Sequence, residues 1–215
     1  MSESIKIAGT VSAANDAIAR QNRFFFASRG LAVLNMISSP GAGKTSILER
    51  MAATYGTSLA VITGDIQTTF DAERLERAGA AAVQIETGGS CHLNASMVQK
   101  ALAALSFNGK KLLFIENVGN LVCPVAFDLG EQQKIAVLSV TEGDEKPAKY
   151  PALFTRAHAV IVNKTDLLPY VKFSLARVRE DCRILNSSVR IFPLSCTTGE
   201  GFDDWLEYCT GLEKA

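Results

Sequence analysis

The sequence predicts an α/β fold, a single three-layer domain whose mostly parallel sheet is covered by helices on both faces. Three observations carry this. Strand-sized apolar runs alternate with helical segments along the chain. The strand runs, such as 112–115 and 135–140, are apolar almost throughout rather than at every second residue, as expected of strands buried on both faces. The 215 residues, 47% hydrophobic and 20% charged, suffice for one ordinary core and leave two full domains cramped.

The elements follow in order. Residues 1–30 read as a helical lead-in packed on the domain, and 31–215 as the domain itself. Within the lead-in, 12–29 is amphipathic, with Ala13, Ala17, Ala19, Phe24 and Phe25 among polar residues. After Gly30 an aliphatic run at 31–37 reads as strand and 45–55 as helix. Strand follows at 59–63, helix at 72–78, strand at 82–85, and helix from His92 or Leu93 to Leu105. Residues 112–115, 135–140 and 159–162 read as strands, 171–185 as helix, 189–194 as strand and 202–212 as helix. In such a sheet, ligands collect at the carboxyl ends of strands.

Composition excludes several classes. Lys plus Arg is 22 and Asp plus Glu is 22, so no basic excess argues for a nucleic acid or an anionic membrane. The longest apolar runs fall far short of the roughly 20 residues that span a bilayer. The start of the chain has no cationic segment followed by an apolar signal core, which reads as a cytoplasmic protein. Five cysteines without a CxxC pair make a poor disulfide framework, so the thiols read as reduced, with Cys182 and Cys209 as buried packing.

Immediately after the first core strand comes SSPGAGKT at 38–45, matching the phosphate loop G-x-x-x-x-G-K-[ST] with Ser38 in place of the first glycine. Pro40, Gly41, Ala42, Gly43 and Ser46 would surround the phosphates, with Gly41 and Gly43 letting backbone amides point inward; Lys44 would reach the outer phosphates, and the Thr45 hydroxyl would ligate magnesium. Strand, loop and helix arrive in the order of a P-loop NTPase; the competing reading is a glycine-rich turn that starts a helix. Farther on, Asn163, Lys164, Thr165 and Asp166 follow a strand and fit the N-K-x-D guanine signature. A carboxylate at Asp166 accepts two hydrogen bonds from the guanine edge, which adenine cannot donate, so GTP and GDP are the expected nucleotides. Ser195, Cys196 and Thr197 resemble a loop that closes over the base, with a plain turn before the last helix as the alternative. Asp65 and Glu116, at strand ends, are candidate magnesium carboxylates beside Thr45, and the Gly119 amide is a candidate γ-phosphate sensor. Asp71 either orients the attacking water or merely complements a helix dipole. No arginine finger is evident, so hydrolysis by the isolated chain is expected to be slow, below about 0.01 per second.

Cys91 and His92 are adjacent on a glycine turn, and Cys123 lies in another segment that follows a strand. Thiolates and an imidazole suit Ni(II) or Zn(II). The plainer reading, small buried cysteines, stays open at this point. Three ligands leave coordination incomplete, which suggests a labile site or one completed by a second subunit. His158 reads as structural.

Taken together, these residues resemble the hydrogenase nickel-incorporation GTPases, the HypB family of the SIMIBI class. The resemblance rests on 38–45, Gly64-Asp65, Asp71-Ala72-Glu73-Arg74, Cys91-His92-Leu93, ENVGNLVC at 116–123, Phe127-Asp128-Leu129-Gly130-Glu131 and NKTDLLPY at 163–170. It implies GTP hydrolysis coupled to nickel delivery into the large-subunit precursor of [NiFe] hydrogenase. It also implies a GTP-promoted homodimer, a nickel chaperone of the HypA type as partner, and an interfacial site of Cys91, His92 and Cys123. Residues 1–37 contain no Cys or His, so no separate tight nickel store is expected. Asn94 stands where the family commonly has an acid, and Ser38 matches the family's own loop variant. Leu167 and Leu168 read as core rather than interface. Rival readings are a urease-type nickel GTPase, whose Cys-Pro-His pattern is absent, a metal-binding module with GTP as a static ligand, and a small-molecule P-loop kinase.

Overall fold

The computed structural model describes residues 7–65 and 70–213, with side chains from residue 12 onward. Residues 1–6 of the expected lead-in, and 66–69 and 214–215 of the expected 31–215 domain, lie outside the described residues. Seven strands form one parallel sheet: β1 (Ala32–Ser38), β2 (Leu59–Asp65), β3 (Ala81–Glu86), β4 (Leu112–Glu116), β5 (Gln133–Ser139), β6 (Ala159–Asn163) and β7 (Arg190–Pro193). Their order is β3-β2-β4-β1-β5-β6-β7. The chain therefore winds outward in both directions from β1, and the crevice of such a sheet opens at the carboxyl end of that strand.

Every residue of β1, β4 and β6 is buried. Alternate side chains serve opposite faces, as a period of two requires. On one face Leu34, Met36 and Phe114 pack with Ile47, Leu48 and Met51 of α2 (Lys44–Tyr55), Leu75 of α3 (Phe70–Arg77), and Trp205 of α8 (Phe202–Leu212). On the other, Val33, Ile62, Leu113 and Ile115 pack with Phe26 of α1 (Ile7–Ala27) and with Val98 and Leu102 of α4 (Ala95–Leu102). Val160 and Val162 pack there with Phe154 of α6 (Pro151–Arg156) and Val178 of α7 (Leu175–Leu185). No helix among the described residues is long and apolar enough to cross a membrane.

Helix α1 is fixed by polar contacts as well as apolar ones. The buried Asn22 amide donates to the carbonyls of Ala95 (2.9 Å) and Leu129 (3.1 Å), and Asn15 accepts from the Ala95 amide (2.9 Å). Arg23 pairs with Asp128 at 2.8 Å. A Cβ on Gly130 would stand 2.7 Å from the Ala19 carbonyl oxygen, so only glycine admits α1 here. The Phe127-to-Glu131 motif is thus, in part, the seat of α1.

The elements agree with the sequence reading in kind, and several differ in extent. Helix α4 starts at Ala95, not at residue 92 or 93, because the Asn94 side chain accepts from the Met97 amide (2.9 Å) and caps it. Helix α7 starts at Leu175 rather than 171, because Ser174 caps it in the same way. Helix α1 extends to Ile7, before the expected 12. The sequence reading had no counterpart for α5 (Lys146–Lys149) or α6; each is a short helix with proline at its start.

Asn22→Ala is expected to destabilise the protein by about 1–3 kcal/mol, because it strips two buried carbonyls of their donor. Urea denaturation checks this; a loss below about 0.5 kcal/mol would mean that the Asn22 hydrogen bonds contribute little to holding α1.

Candidate nucleotide and metal site

The loop after β1 turns through Gly41 and Gly43, both with positive φ (77° and 97°), and delivers the chain into α2 with no side-chain cap on its first amides. Those free amides and the helix dipole favour an anion. Lys44, buried, donates to the Ser38 hydroxyl at 2.8 Å, and that hydroxyl donates to the Ser39 carbonyl at 2.6 Å. Ser38, where the general loop pattern has glycine, therefore holds the lysine in place. Burial lowers the Lys44 pKa, against the opposing pull of Glu116 and Asp71.

Thr45 donates to Oε1 of Glu116 at 2.9 Å. Oε2 of the same carboxylate, and the Thr63 hydroxyl in register beside it, are buried without a hydrogen-bond partner. Burial pushes Glu116 up to about 7. A buried carboxylate with one oxygen unmatched, beside a hydroxyl, fits a hard divalent cation such as magnesium. A cavity of about 500 Å³ opens here, with Lys44, Thr45, Asp65, Asp71, Glu116 and Gly119 on its walls. Pro40, Gly41, Gly43, Ser46 and Lys164 also line it, so the phosphate-loop candidates and the strand-end acids meet in one place. Asp71 lies in the first turn of α3 and pairs with Arg74 at 3.4 Å, while Arg74 pairs with Glu49 at 2.6 Å.

The base-side candidates are tied to this loop. Asn163 donates to the Ala42 carbonyl (3.0 Å) and Lys164 to the Gly41 carbonyl (2.8 Å). Lys164 has φ 64°, the one positive value for a non-glycine among the described residues; its amide donates to Oδ1 of Asn163 (2.7 Å). A Cβ on Gly43 would lie 2.3 Å from the Asn163 amide nitrogen, so the two motifs are in direct contact. The Ser195 hydroxyl donates to Asp166 at 2.5 Å and accepts from the amides of Thr197 (3.2 Å) and Thr198 (3.1 Å). The Cys196 carbonyl accepts from Arg50 at 2.8 Å. The 195–197 loop thus orients Asp166, which is more than a turn before a helix needs to do.

Cys91, His92 and Cys123 converge, with all three ligand atoms within 4.8 Å of one another. The turn that presents the first two uses positive φ at Gly88 and Gly89. Thr87 fixes it by donating to the Ser90 carbonyl (2.8 Å) and, through its amide, to the Asp65 carbonyl (3.0 Å). His92 stacks on Phe127 with ring centroids 4.0 Å apart. Burial lowers the His92 pKa, which favours the neutral imidazole that ligates metals. The hydrogen bond to Cys123 raises the Cys91 thiol. Cys91 is exposed and Val122, beside Cys123, is 62% exposed, so the cluster opens outward with an apolar rim. Two sulfurs and a nitrogen suit a borderline-soft ion and leave a coordination position open. Cys182 and Cys209 are buried, as expected of packing cysteines, and His158 accepts from the Lys134 amide (3.0 Å).

Sequence reading assigned no role to Arg74, Asn117 or Asn120, although all three lie in motifs that carry the resemblance. Arg74 sits on the cavity wall. Oδ1 of buried Asn117 accepts from the amides of Leu93 (3.0 Å) and Val118 (3.1 Å), joining the metal turn to the loop after β4. The available signal was two carboxamides in one loop after a strand, side chains that bond backbone on either side.

Because burial lifts Glu116 from its ordinary 4.5 to about 7, the folded chain holds a proton there that the unfolded chain releases. The linkage makes nucleotide-free stability fall as pH rises through that window. Glu116→Gln is expected to flatten the slope; the check is the stability difference between the two proteins in urea at about pH 5 and about pH 7.5. A difference that does not change with pH contradicts it.

The sequence matches the family described as CobW/HypB/UreG, nucleotide-binding domain, over residues 32–193. It is 47% identical over 196 residues to the hydrogenase maturation factor HypB of Escherichia coli K12, covering 90% of this chain and 68% of that protein. The crystal structure of HypB from Helicobacter pylori in complex with nickel superposes with a TM-score of 0.89 at 40% identity, covering 94% of this chain and 95% of that one. HypB from Archaeoglobus fulgidus superposes with a TM-score of 0.87 at 35% identity, over 94% and 99% of the two chains. With these likenesses spanning phosphate loop, guanine signature and Cys/His cluster alike, the chain belongs to the HypB family of hydrogenase maturation factors.

Proposed function

We propose that this chain hydrolyses GTP to GDP and phosphate, and that its nucleotide state gates a nickel site used in maturing [NiFe] hydrogenase. The observation that supports this best is the segment 116–123, which carries the Thr45-bonded Glu116 at one end and the thiol of Cys123 at the other. One short stretch thus serves both ligands.

In the GTP state Asp166, oriented by Ser195, accepts the guanine N1–H and exocyclic amine, and Asn163 and Lys164 hold the base signature against the phosphate loop. Lys44 exchanges the Ser38 hydroxyl for phosphate oxygens, and the amides of Gly43, Lys44, Thr45 and Ser46 face the same charge. Thr45, Asp65 and Glu116 would hold magnesium, directly or through water, and the ion would supply charge neutralisation to the phosphates. Glu116 gives up its proton to do so. The Gly119 amide donates to the γ-phosphate. Asp71 orients a water whose oxygen attacks phosphorus as the bond to the β–γ bridging oxygen breaks, and the water proton leaves with the phosphate. Arg74, engaged with Glu49, is not free to stabilise that transition state, so turnover by the isolated chain is slow.

Nickel is cargo, held by Cys91, His92 and Cys123, and zinc competes for the same soft donors. The exposed Cys91 and apolar Val122 suit completion of the site by a second copy, which makes GTP-promoted homodimerisation the gate. We take a HypA-type nickel chaperone as the donor and the hydrogenase large-subunit precursor as the recipient. Residues 1–30 are proposed as a lead-in to a GTPase domain of 31–215, with the described part of the lead-in docked on that domain, and reduced thiols suit the cytoplasm.

Lys44→Ala is expected to abolish GTP turnover, and Asp166→Asn to weaken GTP binding by about 10-fold to 100-fold, the worth of hydrogen bonds to a charged acceptor. Nucleotide titrations check the second; equal loss of GTP and ATP affinity would contradict the guanine role. The gate is tested by molar mass and bound nickel per chain with GDP and with a non-hydrolysable GTP analogue, for wild type and Cys91→Ala. A dimer with altered nickel content, lost in the variant, is the expected result. Mass and nickel that ignore the nucleotide would leave a metal module with a static nucleotide.

A further inference from the structure

We propose that Asn120 is the positioning residue that transmits nucleotide state to the metal ligands, by bridging the two segments that carry Cys91 and Cys123. The inference rests on the function proposed above and names the residue through which its coupling runs.

Cys91 and Cys123 come from loops after different strands, β3 and β4, which are not neighbours in the sheet; β2 lies between them. Something other than strand pairing must hold the two thiols in one site. Asn120 donates from Nδ2 to the Cys91 carbonyl (3.3 Å), and its Oδ1 accepts from the amides of Val122 (2.8 Å) and Cys123 (3.4 Å). One carboxamide therefore touches the backbone of both cysteine segments, with donor and acceptor ends each in use. No other standard side chain of this size carries its donor and its acceptor on separate atoms.

Asn120 also directly follows Gly119, whose backbone packs against the phosphate loop: a Cβ on Gly119 would stand 2.8 Å from the Pro40 ring and 2.9 Å from its nitrogen. A shift of Gly119 toward or away from a γ-phosphate displaces Asn120 with it, because the two are adjacent in the chain. Asn117, on the other side of Val118 and Gly119, anchors the Leu93 amide of the turn that carries Cys91. The pair of asparagines brackets Val118 and Gly119, which line the cavity, and the half-buried Asn120 is the one that reaches the backbone of both cysteine segments. Its displacement changes the spacing of Cys91 and Cys123 and leaves the thiols themselves intact.

The test is a nickel titration followed by thiolate-to-nickel absorption, with magnesium and either GDP or a non-hydrolysable GTP analogue, on wild type, Asn120→Ala and Asn120→Asp. Asn120→Asp keeps the shape and the acceptor for Val122 and Cys123 but cannot donate to the Cys91 carbonyl. In wild type the nickel Kd values of the two states are expected to differ at least about fivefold. In both variants the ratio is expected to fall within about twofold, with nickel still bound in the GDP state. If wild type shows the ratio and either variant keeps it, the bridge is not the coupling element and the inference is overturned while the proposed function stands. Loss of nickel binding in both nucleotide states would make Asn120 a structural support only, and also overturns it. A wild type whose nickel affinity ignores the nucleotide overturns the proposed function, and the inference with it.

Discussion

The hydrogen bond from Thr45 to Glu116 is the contact on which the rest of the site depends. It joins the first turn of α2 to the end of β4 across the cavity, and it does so with a carboxylate that is almost wholly buried. Burying a carboxylate is costly unless it is neutralised or fully bonded. Here one oxygen is matched and the other is not, and the group responds by holding its proton near neutral pH. That arrangement is a poor way to stabilise a fold and a good way to keep a cation position ready, since the missing interaction is the one a bound ion provides.

The sheet order sets the second constraint. With β1 at the centre and winding outward in both directions, the loops after β1, β2, β4 and β6 all deliver residues to the same end of the sheet. The metal ligands sit on the loops after β3 and β4 and so straddle the end of β2, which carries Asp65. Contact there is close: a Cβ on Gly64 would stand 2.8 Å from the Leu93 side chain. The Cys/His cluster is thus packed against the acids of the cavity on two sides, through Gly64 with Leu93 and through the loop after β4. Both acid-bearing strand ends are therefore in contact with the segments that carry the thiols.

Much of this was legible in the sequence, and the reason is locality. The phosphate loop, the guanine signature and the Cys-His pair each lie within a few residues, so spacing alone places their groups on one turn after one strand. The apolar runs fixed strand number and kind because strands buried on both faces have no polar face to confuse them. What escaped was settled by partners far along the chain. Asn117 matters through Leu93, and Arg74 through Glu49, contacts that no local pattern announces. The start of α4 is a different case: Leu93 looks like a helix residue by its apolar character, but Asn94 as a cap overrides it, leaving His92 free to stand on the preceding turn. The short helices α5 and α6 lacked the length that makes a helical period visible.

If nucleotide state reaches the metal as proposed, the loop after β4 and the metal ligands move as one body. Amide hydrogen exchange, measured with magnesium and GDP and then with a non-hydrolysable GTP analogue, tests it most directly. Exchange at 118–119 is expected to change together with exchange at 91–93 and 122–123, by similar factors and in the same direction. A change confined to the phosphate loop and 118–119, with the cysteine segments unaltered, would contradict it.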